Sequence, residues 1–127
     1  MAEGLLRQEL PKLTVYSAGL SALVGQPADI FAREAMESKG VDIGAHRAQQ
    51  LTSPLCSMAD LVLVMDRHQR RVLEGMYPSS RGKVFSLLEG VDIFDPYRME
   101  KEKFVSCMEL IETGVNAWVE RIRKITG

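Results

Sequence analysis

The sequence predicts an α/β domain with a parallel sheet and crossover helices, and three observations carry that prediction. Segments of strand character alternate with segments of helical periodicity along the chain, in the order helix, strand, helix, strand, helix, strand, helix. Leu61-Val62-Leu63-Val64-Met65 is an uninterrupted apolar run with polar flanks, as expected of a strand buried on both faces. From about Glu100 to Ile125, apolar residues fall on one helical stripe: Phe104, Met108, Ile111, Val115, Trp118, Ile122 and Ile125. We read that stripe as core.

The remaining elements follow in order. Met1 to Leu10 reads as a helix with Leu5, Leu6 and Leu10 on one side, ended by Pro11. It has no capping residue before it, and an amino terminus at the positive end of the helix dipole is unfavourable. Lys12 to Ala18 reads as a strand, with Leu13 and Val15 alternating with Thr14 and Tyr16, and Gly19 closing it. The segment Leu20 to Pro27 is a loop with an apolar composition suited to a pocket wall. Asp29 can cap a helix to about Lys39 that turns Phe31, Ala32, Ala35 and Met36 inward, with Gly40 just past its end. Val41 to Gln50 is irregular, and Ser53 to Met58 is a short helical turn with Cys56 half-buried on it. Asp66 caps a helix through about Met76, stopped by Pro78. Val84 to Leu88 is the third strand, and Glu89 to Arg98 a loop before the last helix. Within that last helix, Gly114 costs about 1 kcal/mol relative to alanine, and Cys107 lies on the apolar side as inert core.

The bulk composition narrows the function. A chain of 127 residues forms one domain, 1–127, large enough to bury a core. Its 16 basic and 17 acidic residues leave a net charge of -1, which gives no reason to expect nucleic acid or an anionic membrane as partner. No apolar run approaches the roughly 18 residues of a transmembrane helix. No secretory signal is legible at the N-terminus. Cys56 and Cys107 form no disulfide framework, and with two histidines the spacing gives no zinc site. A reducing cytoplasm is the expected setting, and no cofactor is implied.

Ligands of parallel α/β sheets sit at the carboxyl ends of the strands. Ser17 to Val24, Met65-Asp66 and the loop Ile93-Phe94-Asp95-Pro96-Tyr97-Arg98 leave those ends and should converge on one crevice. Pro96 holds Asp95 out of helical geometry. A carboxyl projected from a rigid loop between apolar residues would be partly desolvated, which raises its pKa and suits it to donate a proton. The plain alternative is an Asp-Pro turn with no chemistry.

Four blocks in register resemble a known family. These are Ser17-Ala18-Gly19-Leu20, Gly44-Ala45-His46-Arg47-Ala48, Asp60 through Asp66, and Asp95-Pro96-Tyr97. They resemble the low-molecular-weight protein-tyrosine phosphatases. The likeness is greatest to the bacterial branch that dephosphorylates tyrosine kinases of exopolysaccharide export. The resemblance implies a three-layer αβα fold of flavodoxin-like topology. It also implies a phosphotyrosine protein as partner, Asp95 as general acid and Tyr97 as an aromatic wall for the substrate ring. Leu20 and Leu23 would form the opposite apolar wall, and Ser17 and His46 would support the phosphate-binding loop from behind. Many members carry two adjacent tyrosines where this chain has Tyr97-Arg98.

One departure from the family pattern concerns the nucleophile. The family's cysteine stands in a Cys-x5-Arg loop after a central first strand, and Met1 to Arg7 resembles the start of the helix that follows. Six residues after Cys56 stands Val62, and six after Cys107 stands Thr113, so the chain contains no Cys-x5-Arg. Three readings follow: a phosphatase domain without its nucleophile in these residues, a catalytically dead binding module, or an arsenate reductase on the same fold. The first is preferred, with no turnover expected of these residues alone. In the sheet, the slot of the central strand should be closed, by pairing of Lys12–Ala18 with Leu61–Met65 or by strand exchange in a homo-oligomer. The first helix should be the most displaced element.

Overall fold

In the computed structural model, which describes residues 1–126, the apolar run becomes β1 (Val62–Val64). It pairs in parallel with β2 (Val84–Ser86), Val62 standing opposite Val84 and Val64 opposite Ser86. Between them lie an α-helix, Arg67–Met76, and a 3-10 helix, Pro78–Lys83, that the sequence did not foretell. In chain order the α-helices are α1 (Ala2–Glu9), α2 (Ile30–Glu37), α3 (Ser53–Met58), α4 (Arg67–Met76) and α5 (Lys101–Thr126). The capping residues act as their types dictate. Asp29 Oδ1 accepts the Phe31 N–H at 2.8 Å and Asp66 Oδ1 accepts the Gln69 N–H at 2.7 Å, each satisfying a donor at a helix start.

Strand alternation divides the core into two layers. Leu63 and Met65 turn toward α1, α2 and α5, where they meet a cluster of Leu5, Met36, Leu87, Ile93, Ile111 and Val115. Val62, Val64 and Val84 turn the other way, onto Cys56 of α3 and Leu73 of α4. The sheet is thus covered on both faces, as the unbroken run of apolar residues predicts.

The stripe of α5 needs two corrections. Phe104, Met108, Ile111 and Val115 are buried as read, but Ile125 is 84% exposed, and Val119, six residues earlier, is the last fully buried side chain of the helix. The 26-residue helix runs past the core, and its Ile122 is the last stripe residue packed against it. Gly114 earns its place by contact: a Cβ there would stand 2.7 Å from the Leu87 carbonyl oxygen, so the helix rides directly on the backbone after β2. Cys56 is buried, not half-buried, and Cys107 is buried as expected.

Two expectations about the N-terminal part fail. Residues 12–18 form no strand: Lys12 lies in a turn, Leu13 in a bend and residues 14–18 carry no regular structure, and no hydrogen bond joins them to Leu61–Met65 among the described residues. Alternation fixes an extended backbone; a strand also needs a neighbouring ladder. The partners here are side chains. Arg7 Nε donates to the Val15 carbonyl at 2.8 Å, Gln49 Nε2 to the Ser17 carbonyl at 2.8 Å, and the Tyr16 hydroxyl to the Leu55 carbonyl at 2.6 Å. Only Gly19 reaches a backbone bridge, to Gln50. Nor is α1 displaced. Its Leu5 is 6% exposed within the core, and Arg123 of α5 donates to the Glu9 carbonyl at 3.1 Å, closing the helix end.

Candidate active site

The loop after β2 is anchored on both sides of Asp95. The Ile93 N–H donates to the Met65 carbonyl at 2.8 Å, and the Ile93 side chain is 2% exposed. The Phe94 carbonyl accepts from Cys107 Sγ at 3.3 Å, and Pro96 is buried. Asp92, a step earlier, takes the Arg67 guanidinium at 3.2 Å, which holds its carboxyl below the usual carboxylate range. Between these anchors Asp95 is exposed, contrary to the half-desolvated carboxyl read from the sequence. The apolar neighbours Phe94 and Pro96 turn into the protein and leave the carboxylate outside. Its Oδ1 accepts the Tyr97 N–H at 3.0 Å, the self-bond of an Asx turn, which fixes its direction.

Asp95 and Tyr97 face a cavity of about 500 Å³ that also collects Met65, Ser17, His46 and Glu3. The segments leaving residue 17, residue 65 and β2 therefore do converge on one crevice. The same lining holds a polar group that sequence reasoning half found. Ser17 Oγ donates to Glu3 Oε1 at 2.7 Å, while His46 Nδ1 and the Arg7 guanidinium stand 3.8 and 3.7 Å from Glu3 Oε2. Glu3 is the hub, with its side chain only 15% exposed, and it was missed because its two distant partners come from other loops. The one local signal is its i,i+4 spacing to Arg7 on α1.

Leu20 and Leu23 are not in the cavity lining. Leu20 packs on the second core cluster, and Leu23 points outward, 59% exposed. An apolar loop beside a two-faced sheet satisfies its larger side chain in the nearest core before it builds a pocket wall. The two cysteines also lie outside the cavity lining, buried in separate clusters on opposite faces of the sheet. Burial pushes the Cys107 thiol up to about 11, so it stays protonated at neutral pH. Among the described residues no group of His, Cys, Asp or Glu is placed to hold a metal ion.

The fold is a parallel α/β sheet covered on both faces, with an Asp-Pro-Tyr loop and a Ser-Glu-His group lining one crevice. Residues 1–126 match the low molecular weight phosphotyrosine protein phosphatase family, and the chain belongs to that family. It is 50% identical over 127 residues to the "Probable low molecular weight protein-tyrosine-phosphatase EpsP" of Ralstonia nicotianae, covering 98% of this chain and 88% of that one. Among solved structures it is similar to Vibrio vulnificus Wzb in complex with benzylphosphonate, at 41% identity and a TM-score of 0.91, covering 94% of this chain and 87% of that one. The tyrosine phosphatase Wzb from Escherichia coli K30, in complex with sulphate, gives 36% identity and a TM-score of 0.91, over 95% and 87% of the two chains. No helix among the described residues is long and apolar enough to cross a membrane.

Proposed function

We propose that these residues form the acid side and the aryl wall of a site that hydrolyses phosphotyrosine on a protein. The carrying observation is the anchored loop whose Asp95 and Tyr97 line the same cavity as Ser17, Glu3 and His46. In the family reaction a cysteine thiolate attacks phosphorus and the bond to the tyrosine oxygen breaks. Asp95 gives its proton to the departing phenolate. As carboxylate it then takes a proton from the water that attacks the phosphocysteine, releasing phosphate and regenerating the thiolate. Tyr97 lies along the substrate ring, and Ser17 and His46, joined through Glu3, brace the wall on which the phosphate loop rests. The likeness to EpsP and Wzb supports a tyrosine kinase of exopolysaccharide export as the phosphorylated partner.

The nucleophile is the part that these residues do not supply, since no Cys-x5-Arg occurs in them and both thiols are buried. We therefore expect the 127 residues alone to leave p-nitrophenyl phosphate unhydrolysed, and the unpaired edge of β1 to favour self-association. Purified chain whose turnover is abolished by Asp95→Asn would sink the first expectation. Joined to an N-terminal strand and a Cys-x5-Arg loop, the protein should hydrolyse aryl phosphates. Asp95→Asn should then lower kcat for a poor leaving group by roughly 10²–10⁴-fold. A silent Asp95→Asn in an active protein would remove Asp95 from the acid's role.

A further inference from the structure

Beside the candidate acid, Arg98 is held in a way that its type does not favour. The Met99 N–H donates to the Pro96 carbonyl at 2.8 Å, closing a four-residue turn in which Arg98 is the third residue. Its φ is 63°, and among the described residues it is the non-glycine with positive φ. A negative φ at the second position with a positive φ at the third is the type II pattern, where glycine is the unstrained choice. An arginine here carries backbone strain, and strain beside a site calls for a reason.

The geometry gives one. The turn folds the guanidinium over the Tyr97 ring, with Cζ 5.2 Å from the ring centroid. Tyr97 lines the cavity, and Arg98, outside the lining, lies over its ring. Of the neighbouring cations, Arg67 is bound to Asp92 and Lys101 to Glu34. Arg98 is exposed, and no carboxylate lies within ion-pair distance of it among the described residues. A planar cation fixed against an aromatic face keeps its outer N–H donors free and pre-aimed, which favours bidentate capture of a carboxylate.

We propose that Arg98 is a specificity-determining residue that receives an acidic side chain flanking the target tyrosine, so that the site prefers tyrosines in acidic peptide segments. This rests on the phosphotyrosine reading of the site for its biological use, but the binding step does not need the phosphate or the nucleophile. The site as it stands therefore tests it.

The experiment is an NMR titration of the full 127-residue chain, unphosphorylated, with a short tyrosine peptide flanked by aspartates, and with its asparagine counterpart. The acidic peptide should shift the Arg98 side-chain Nε–H and the Tyr97 ring signals, and the asparagine peptide should bind at least threefold more weakly. Raising the salt from low to physiological strength should weaken the acidic peptide selectively. In Arg98→Gly, a substitution the turn welcomes, the preference between the two peptides should vanish while the dispersed spectrum of the fold remains. Equal shifts from both peptides, no shift from either, or a preference that survives Arg98→Gly would overturn the proposal. A failed phosphatase assay on the loop-extended protein would instead count against the function proposed above and leave this preference standing.

Discussion

The half of the molecule around β1, β2 and α5 and the half around residues 12–26 are built by different physics. In the first, a parallel ladder is covered by buried side chains: Val84, Leu87 and Val115 are all at or below 1% exposure, and Gly114 lets α5 touch the backbone beyond β2. In the second, the chain is irregular: the Val15, Ser17 and Leu20 carbonyls are met by the side chains of Arg7, Gln49 and Gln50, and those of Gly19 and Gln26 by the Leu51 and Ala48 N–H groups. Packing supplies stability that scales with buried area. Polar side-chain bonds in half-exposed ground add little net stability but fix direction. The candidate site takes Ser17 from the second half and Met65, Asp95 and Tyr97 from the first. That is a reasonable division for a crevice whose walls must be aimed while the body bears the load.

The widest separation between the halves should come from truncating their central residues. Leu87→Ala leaves a cavity under α5 and is expected to cost about 2–5 kcal/mol, a large part of the ~5–15 kcal/mol typical of a domain. Denaturant unfolding measures it, and a cost below that of any side chain in residues 12–26 would dissolve the distinction drawn here. Gln50→Ala should cost about 1 kcal/mol. It orphans the Ala22 N–H, which donates to Gln50 Oε1 at 2.9 Å, and the Leu20 carbonyl, which accepts from Nε2 at 2.8 Å. Its signature is local: hydrogen exchange should quicken across residues 19–26 and stay unchanged along α5.

The smallest effect is a pH effect in the packed half. Folding raises the Cys107 thiol from 9.0 to about 11 by burial, so the folded state holds that proton more tightly. The contribution is fully present below pH 9.0 and is lost as pH rises through about 11. Cys107→Ala should therefore lose less stability than the parent over that window. The native thiol should also resist alkylation at pH 8 until denaturant opens the core. Rapid alkylation of the folded chain would show that the packed half opens readily.

What was legible in the sequence divides along the same line. Asp29 and Asp66 were readable as caps because a cap needs only its own helix. Leu61–Met65 was readable because burial on both faces leaves no polar gap in the run. Lys12–Ala18 was misread as a strand because alternation reports backbone shape and not a neighbour. Leu20 and Leu23 were misplaced because apolar character does not say which of two cavities, core or cleft, a loop side chain will choose. Asp95 was legible from its Asp-Pro loop and the family pattern, and Tyr97 from the family pattern alone; the carboxylate is more open to water than its apolar neighbours foretold. Glu3 stayed hidden, since a hub is defined by residues 14 and 43 positions away.

The chain has a single tryptophan, Trp118, and its setting has a practical result. Its Nε1–H donates to the Ser86 carbonyl at 3.1 Å on β2, its ring leans on Phe85 at 5.6 Å, and Arg121 lies 4.9 Å over its face. Intrinsic emission from this protein is therefore a reporter of α5 seated on the sheet, several turns along that helix from Phe104, which lines the Asp95 crevice. A melting curve followed at that wavelength reads the detachment of one helix, and a quiet fluorescence trace during ligand titration says nothing about occupancy of the crevice. Tyr97, stacked under Arg98, is the chromophore that looks toward it.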